Sequence, residues 1–210
     1  MNLREAKELT GGGLGYPSKM PGTSYGISAH ACITGSKLAS VPGSVCHGCY
    51  ALRNNYNYSS VKTAHARRLA SIAGANWTVA MVTLLQHSAT KWHRWHDSGD
   101  LQSTEHLTKI CAVAALTPKI RHWLPTRELG IVQAYVAKGG IVPDNLTIRV
   151  SATMVDGAAT SKWPVTSGVH TKDHPDGVAH VCPAPTQNNN CGKCRACWSK
   201  DIVHVSYHKH

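Results

Sequence analysis

A strand, a polar turn and a helix follow one another in residues 92–116, which read WHRWHDSGDLQSTEHLTKICAVAAL. Residues 92–96 alternate as a strand does, and the acids and glycine that follow them are typical of a tight turn. A helix from about Glu105 to Leu116 comes next, with Ser103 or Thr104 as its N-cap. This strand–turn–helix unit decides the fold because it recurs along the chain.

Further units are predicted on both sides of this stretch. The strands are Ser24–Ala31, Ile120–Pro125, Leu146–Ser151, Val165–His170 and Val178–Val181, and the helices are at about 61–73, 79–85 and Leu129–Ala137. Strands and helices that alternate at roughly 25-residue spacing predict right-handed βα units on a parallel sheet. We therefore expect one α/β domain over residues 1–210, in which the sheet forms a partial, TIM-like barrel with cysteine-rich loops. Residues 10–50 are predicted to be rich in loops, and His204 and His208 to lie in a solvated tail.

Polar side chains gather directly after the predicted strands, and they include Asp97, Ser98, Asp100, Thr126, Arg127, Glu128, Ser151, Thr153, His170 and Cys182. In parallel α/β folds the carboxyl ends of the strands meet at one edge, where functional sites lie. Asp97, Asp100, Arg127 and Glu128 are therefore the candidate catalytic residues, with Arg127 binding an anion and Glu128 transferring a proton. The alternative is that Ser98 and Thr104 only cap helices and that Arg127 and Glu128 form a structural salt bridge. His96 is either a proton donor or metal ligand, or an ordinary hydrogen-bonded histidine.

Seven of the eight cysteines fall into two groups. The first group, C-x13-C-x2-C, comprises Cys32, Cys46 and Cys49. The second, C-x8-C-x2-C-x2-C, lies in the turn-rich loop 182–198 and comprises Cys182, Cys191, Cys194 and Cys197. The remaining cysteine, Cys111, lies on the apolar face of a predicted helix, so we expect it in the core.

The second group has the short spacing that is typical of iron–sulfur loops, whereas structural zinc sites more often use two separated C-x2-C pairs. We predict that it binds a 4Fe–4S cluster, with zinc as the alternative metal. The first group either binds a second, open cluster or contributes ligands to the first. Disulfides are the other use of an even number of cysteines. The N-terminal residues 1–8 carry no apolar signal-peptide core and no apolar run suits a membrane span, so we expect a cytoplasmic protein with reduced thiols.

The basic charge is unevenly placed. The formal net charge is +11, and no Asp or Glu occurs between Glu8 and Asp97, although eight Lys and Arg residues do. Aromatic and basic side chains alternate from Tyr50 to Arg68. This pattern predicts either a partner such as single-stranded nucleic acid or a small anionic ligand, or only a soluble surface.

Four segments together resemble a bacteriophage family of uncharacterised activity, the gene product 88 family. They are Cys46–Ala51, His96–Leu101, Trp123–Arg127 and Cys182–Trp198, and the resemblance extends from about Pro21 to Tyr207. It implies phage origin and expression in the cytoplasm of a bacterial host.

A more distant likeness is to the radical S-adenosylmethionine barrel, in which three cysteines follow the first strand and an aromatic residue often stands beside the last of them. Cys32, Cys46, Cys49 and Tyr50 match that arrangement, and the loop 182–198 matches the auxiliary-cluster loop of some of these enzymes. The likeness implies S-adenosylmethionine as a further cofactor. The chain departs from it in having C-x13-C-x2-C in place of C-x3-C-x2-C, and in lacking a Gly-Gly-Glu-like strand.

Three hypotheses follow. The first is a phage iron–sulfur protein with a redox role, either electron transfer with an electron donor or radical-type chemistry on a small molecule. The second is a zinc-stabilised basic module that binds nucleic acid or a host protein without catalysis. The third is a redox sensor that binds a cluster and has no turnover.

Overall fold

A seven-stranded sheet organises the part of the chain that the computed structural model describes, residues 1–171 and 180–209. The helices are α1 Leu3–Leu9, α2 Ile33–Leu38, α3 Ser59–Ser71, α4 Trp77–Gln86, α5 Thr104–Leu116 and α6 Leu129–Ala137. The strands are β1 Thr23–Tyr25, β2 Trp92–Trp95, β3 Arg121–Thr126, β4 Leu146–Val155, β5 Thr166–His170, β6 His180–Val181 and β7 His204–His208.

The strand order is β1-β2-β3-β4-β5-β7-β6, and every neighbouring pair is parallel. The predicted α/β fold with a parallel sheet is therefore confirmed. The sheet is open, with β1 at one edge and β6 at the other, so a barrel-like closure is not confirmed. Of the predicted strand Val178–Val181, the last two residues form β6, and residues 178–179 lie outside the described part.

Local signals set the boundaries of the two central helices. The Ser103 side chain accepts a hydrogen bond from the backbone N–H of His106 at 3.2 Å, so α5 begins at Thr104. Helix α6 has the predicted bounds, and Gly139 adopts φ 81° just beyond its end, a conformation that glycine adopts readily. Both helices lie close to their predicted bounds because the residues that end them are adjacent to them in the sequence.

The main core lies between one face of the sheet and helices α4, α5 and α6. Tyr25, Trp95 and Leu124 from the strands are buried there with Trp77 and other helix residues. Burying each large apolar side chain contributes about 1.5–3 kcal/mol, so this layer dominates the folding free energy. Cys111 belongs to the same cluster and is only 3% exposed, which confirms its predicted core position.

The C-terminal segment covers part of the opposite face of the sheet. Cys197 and Trp198 pack against Trp123 of β3 and Val205 of β7. The predicted solvated tail is therefore wrong: β7 pairs with both β5 and β6, and Val205 is fully buried. The sequence pattern did not indicate β7, because its apolar alternation spans only a few residues and the strands that it pairs with are distant in sequence.

The N-terminal loop region contains more structure than predicted. The expected strand Ser24–Ala31 is only three residues long, and a 3₁₀ turn occupies Ala29–Ala31. Helix α2 follows and was not predicted, because its six residues show no apolar periodicity. Among the described residues, no helix combines the length and apolar character that crossing a membrane requires.

Candidate functional site

A cavity of about 720 Å³ opens at the carboxyl edge of the sheet. The ends of β2, β3, β4, β5 and β7 and the loops between β1 and α3 all contribute to its wall. Its predicted lining residues are Cys32, Cys46, Cys49, Tyr50, Asp97, Ser98, Asp100, Thr126, Arg127 and Ser151. A cavity of this volume suits a small-molecule ligand, and it lies where a parallel sheet places such a site.

The first cysteine group lines one side of this cavity, and its three thiols are free. A Cβ placed on Gly35 would lie 3.5 Å from Cys32 Sγ and 3.6 Å from Cys46 Sγ, so both sulfurs border the same small space. Cys49 is held in the same turn because its N–H donates to the Cys46 carbonyl at 3.1 Å. The structure therefore brings all three predicted ligands to one wall.

Burial favours the protonated forms of Cys32 and Cys46, and Arg127 opposes this effect. Burial, with a smaller contribution from the nearby Asp100 carboxylate, raises the pKa of the Cys32 thiol to about 12 against the lowering effect of Arg127. Burial also raises the pKa of the Cys46 thiol, again against the effect of Arg127. Binding of a cation to the sulfurs would thus replace two protons that the protein alone retains.

The two acids that follow β2 have different surroundings. Asp100 accepts hydrogen bonds from Thr126 Oγ1 at 2.6 Å and from the backbone N–H groups of Leu101 and Arg127 at 2.7 and 2.8 Å. Burial nevertheless raises the pKa of Asp100 to about 6. Asp97 Oδ1 is buried and has no hydrogen-bond partner in the described part of the chain.

Tyr50 links the cysteine loop to the turn after β2. Its hydroxyl donates to the Asp97 carbonyl at 2.9 Å, while the residue as a whole is 51% exposed. Ser98, expected to cap a helix or turn a loop, lies in the turn after β2, is buried on the cavity wall and caps none of the described helices. Its carbonyl accepts the Ile27 N–H at 2.9 Å, which joins this turn to the chain after β1.

Arg127 and Glu128 diverge from the end of β3. Arg127 lines the cavity, whereas Glu128 turns towards the start of α2. There its two carboxylate oxygens accept from the Thr34 N–H and from Thr34 Oγ1, each at 2.7 Å. The alternative, a structural salt bridge at the sheet edge, is not found for either residue in the described part of the chain, where the ion pairs lie elsewhere.

His96 has no described hydrogen-bond partner on either ring nitrogen, and its ring lies 5.3 Å from that of His106. Burial, with His106 and Arg94 nearby, holds the pKa of His96 well below its usual range. The backbone of His96 adopts φ 54°, which starts the turn that carries Asp97.

The lining residues that the sequence analysis did not name as site candidates include Arg94, Trp123 and Tyr207. The period-two alternation of β2 contains the signal for Arg94, because the core residues His93 and Trp95 occupy the other face. The Arg94 guanidinium carbon lies 4.6 Å from the centre of the Trp123 ring.

Two members of the second cysteine group, Cys194 and Cys197, pack beside Trp123 and Tyr207 on the sheet face that the C-terminal segment covers. Cys197 Sγ is 3.2 Å from the Tyr207 hydroxyl, and Cys194 Sγ is 3.3 Å from His180 Nε2. Burial raises the pKa of Cys182 and of Cys191, and neighbouring thiolates of this group raise both further. Burial raises the pKa of the Cys197 thiol to about 12, although the hydrogen bond with Tyr207 lowers it.

Neither cysteine group has the arrangement of a single-ion site. Within residues 1–171 and 180–209, no group of three or more His, Cys, Asp or Glu side chains could hold one metal ion. All eight thiols are free.

Comparison with protein families identifies the family of this chain. The model of the family described as Gene product 88 matches residues 2–200. No curated protein and no solved structure matches the chain.

Proposed function

Because the chain belongs to the Gene product 88 family, whose description names no activity, we propose a function from the site itself: a redox iron–sulfur protein that holds a small molecule in the cavity. The observation that carries the proposal is the wall formed by Cys32, Cys46 and Cys49, three free thiols that border a cavity of about 720 Å³. Three cysteines can hold three irons of a cubane and leave the fourth open to a ligand.

The spacing of the sulfurs suits a cluster. Around one zinc ion, with Zn–S of about 2.3 Å, the sulfurs approach within about 4 Å of each other. A cubane spreads its cysteines over separate corners, so it needs sulfurs that border a common space without closing on one point. Cys32, Cys46 and Cys49 all line the cavity of about 720 Å³, which would serve as that common space. When bound, such a cluster supplies a one-electron couple and an open iron.

The residues of the chain have separate roles in this proposal. Arg127 favours the thiolate forms of Cys32 and Cys46, since its charge lowers the pKa of both. Asp100 fixes the backbone at Arg127, and its pKa of about 6 also suits it to exchange a proton near neutral pH. Asp97 lines the cavity and would offer its carboxylate as an acceptor to a bound molecule. We assign Glu128 the role of positioning the start of α2, in place of the catalytic role that the sequence analysis gave it.

The second cysteine group is proposed to bind a further 4Fe–4S cluster. Cys182, Cys191, Cys194 and Cys197 supply the four thiolates of a closed site, which suits electron transfer to the open one. An external electron donor is then the expected partner.

One observation favours the alternative, a zinc-stabilised binding module. His180 lies 3.3 Å from Cys194 Sγ, and a histidine among cysteines is a common ligand set for structural zinc. Helix α3 also exposes Lys62 and Arg67. In that case the chain would bind nucleic acid without catalysis, and its affinity would fall steeply with salt.

The test is metal analysis with visible absorption on protein purified without oxygen. We expect about four or eight irons per chain, the contents of one or two cubanes. Cys46→Ala and Cys194→Ala should each remove one cluster, while Cys111→Ala, in the core, should retain all the iron. Zinc in place of iron would reject the proposal and favour the binding module.

Ligand specificity needs its own measurement. S-adenosylmethionine is titrated against the reduced protein, and the electron paramagnetic resonance signal is followed. A changed signal that Cys46→Ala abolishes would support radical-type chemistry. An unchanged signal would leave electron transfer as the redox role.

A further inference from the structure

Two guanidinium groups reach the same cavity without a salt bridge to any described carboxylate, although Asp97 is among the groups whose charge favours the Arg94 cation. Arg94 lines it from β2 and Arg127 from the end of β3. The Nε atom of each is buried and has no hydrogen-bond partner among the residues described. The ion pairs found in that part of the chain are Arg4–Glu8 and Lys200–Asp144, so neither cavity arginine is in one. Both side chains are only partly exposed, and a guanidinium held away from bulk water without a salt bridge favours the binding of an anion.

Arg94 is held in place by an aromatic ring. Its guanidinium carbon stands 4.6 Å from the centre of the Trp123 ring, within the range of a cation–π interaction. This contact fixes one face of the guanidinium and leaves its N–H edge unpaired. Arg94 also lies close enough to Cys191 and Cys197 to lower the pKa of both.

Arg127 is fixed through its backbone. Its N–H donates to Asp100 Oδ2 at 2.8 Å, while Asp100 Oδ1 accepts from Thr126 and Leu101. Asp100 is thus occupied by three donors, and Glu128 by Thr34. The two acids nearest in sequence to Arg127 therefore do not pair with its guanidinium.

We propose that Arg94 and Arg127 together bind the carboxylate or phosphate group of a small molecule. Guanidinium groups recognise such anions through paired N–H bonds, and here Trp123 orients the Arg94 guanidinium while Asp100 fixes the backbone of Arg127. The cavity volume of about 720 Å³ accommodates a metabolite-sized ligand. Asp97 also lines the cavity, and its carboxylate would favour a ligand that carries an N–H or O–H donor as well. This inference rests on the proposed function only in using the same cavity.

Anion binding is tested by calorimetric titration at constant ionic strength with two probes, inorganic phosphate and succinate. We expect saturable binding of at least one, and weakening by about tenfold or more in Arg94→Gln and in Arg127→Gln. Arg121→Gln removes the same charge from the exposed start of β3 and should bind within about twofold of the wild type. Absence of saturable binding for both probes, or equal weakening by Arg121→Gln, would overturn the proposal.

Lysine variants separate the paired geometry from simple charge and guard against misfolding. Arg94→Lys and Arg127→Lys keep the cation but lose the planar fork, so we expect weaker binding with an unchanged near-ultraviolet circular dichroism spectrum. Wild-type affinity in both lysine variants would reject the two-arginine site.

Iron content measured on the same samples keeps the two proposals apart. Anion binding by protein that contains no iron would uphold the arginine site and reject the cluster. Iron-loaded protein that binds neither probe would uphold the cluster and reject the arginine site.

Discussion

At the residue scale, Glu128 illustrates how a polar residue after a strand acquires a structural role. It follows β3 as a catalytic acid would, yet both its oxygens bind Thr34, which is 94 positions away in the sequence. Those bonds satisfy a backbone N–H in the first turn of α2, directly after Cys32. No local pattern predicts that pairing, because it depends on where the loop after β1 lies.

Glu128→Gln is expected to lower the free energy of unfolding by about 1–3 kcal/mol, because a buried, charge-assisted pair is replaced by a poorer one. Cys32 should also react faster with a thiol reagent, since α2 is held less firmly. Urea unfolding and labelling kinetics measure the two effects. Glu105→Gln, at an exposed site, is the control. Equal labelling of Cys32 in both variants would show that Glu128 does not position it.

Arg149 is a second residue whose role depends on distant partners. It is fully buried, and its guanidinium donates to the carbonyls of Thr166, Ile202, Ala196 and Ser199. These bonds hold the C-terminal segment to the sheet. Lysine ends in one compact ammonium group, which cannot donate to all four of these carbonyls as the two guanidinium nitrogens do.

We expect Arg149→Lys to cost about 3 kcal/mol or more, since several buried carbonyls lose their donor. Thermal unfolding measures the loss, and limited proteolysis should detect cleavage near residues 196–203. Arg121→Lys is the matched exposed substitution. A tail that stays resistant in Arg149→Lys would mean that packing alone holds it.

At the element scale, the fold divides into elements that local sequence defines and elements that pairing defines. Helices α5 and α6 and strands β2 to β5 lie close to their predicted positions, because caps and periodicity mark them. Helix α2 and strand β7 were missed. The latter is five residues long and becomes a strand between β5 and β6 only when the tail returns to the sheet.

Two valines of the tail test this packing. Val205 is fully buried in β7, whereas Val203, just before the strand, is 58% exposed. Val205→Ala should destabilise the protein by about 2 kcal/mol through lost burial and a residual cavity. The control Val203→Ala should change stability by less than about 0.5 kcal/mol. Chemical denaturation compares them, and equal effects would argue against a packed β7.

At the scale of the whole molecule, four buried histidines make stability depend on pH. Burial lowers the pKa of His106 to about 4 and that of His122 to about 3, and it holds those of His93 and His96 well below the usual range. Below pH of about 6.5 the unfolded chain takes up protons that the folded one does not. Stability therefore falls as the pH falls.

The expected slope is up to about 1.4 kcal/mol per pH unit for each histidine. Asp100 opposes it, because its raised pKa of about 6 makes the folded state bind a proton first between pH 6 and 4. Urea unfolding at pH 7.5 and 5.5 measures the net effect. His106→Leu should flatten the slope by removing one of the four, with the exposed His87→Leu as control. A pH-independent stability would contradict the assignment of neutral, buried rings.

The sequence alone determined the parallel α/β class, the two cysteine motifs and the polar edge that carries Asp97, Asp100 and Arg127. All of these follow from the spacing of residues within short stretches, because that local spacing determines where strands, helices and turns form along the chain. Only the tertiary structure decided that the sheet stays open, that Glu128 supports α2, and that Arg94 reaches the cavity beside Arg127. Those outcomes depend on strand order and on contacts between residues far apart in the chain, and local periodicity encodes neither.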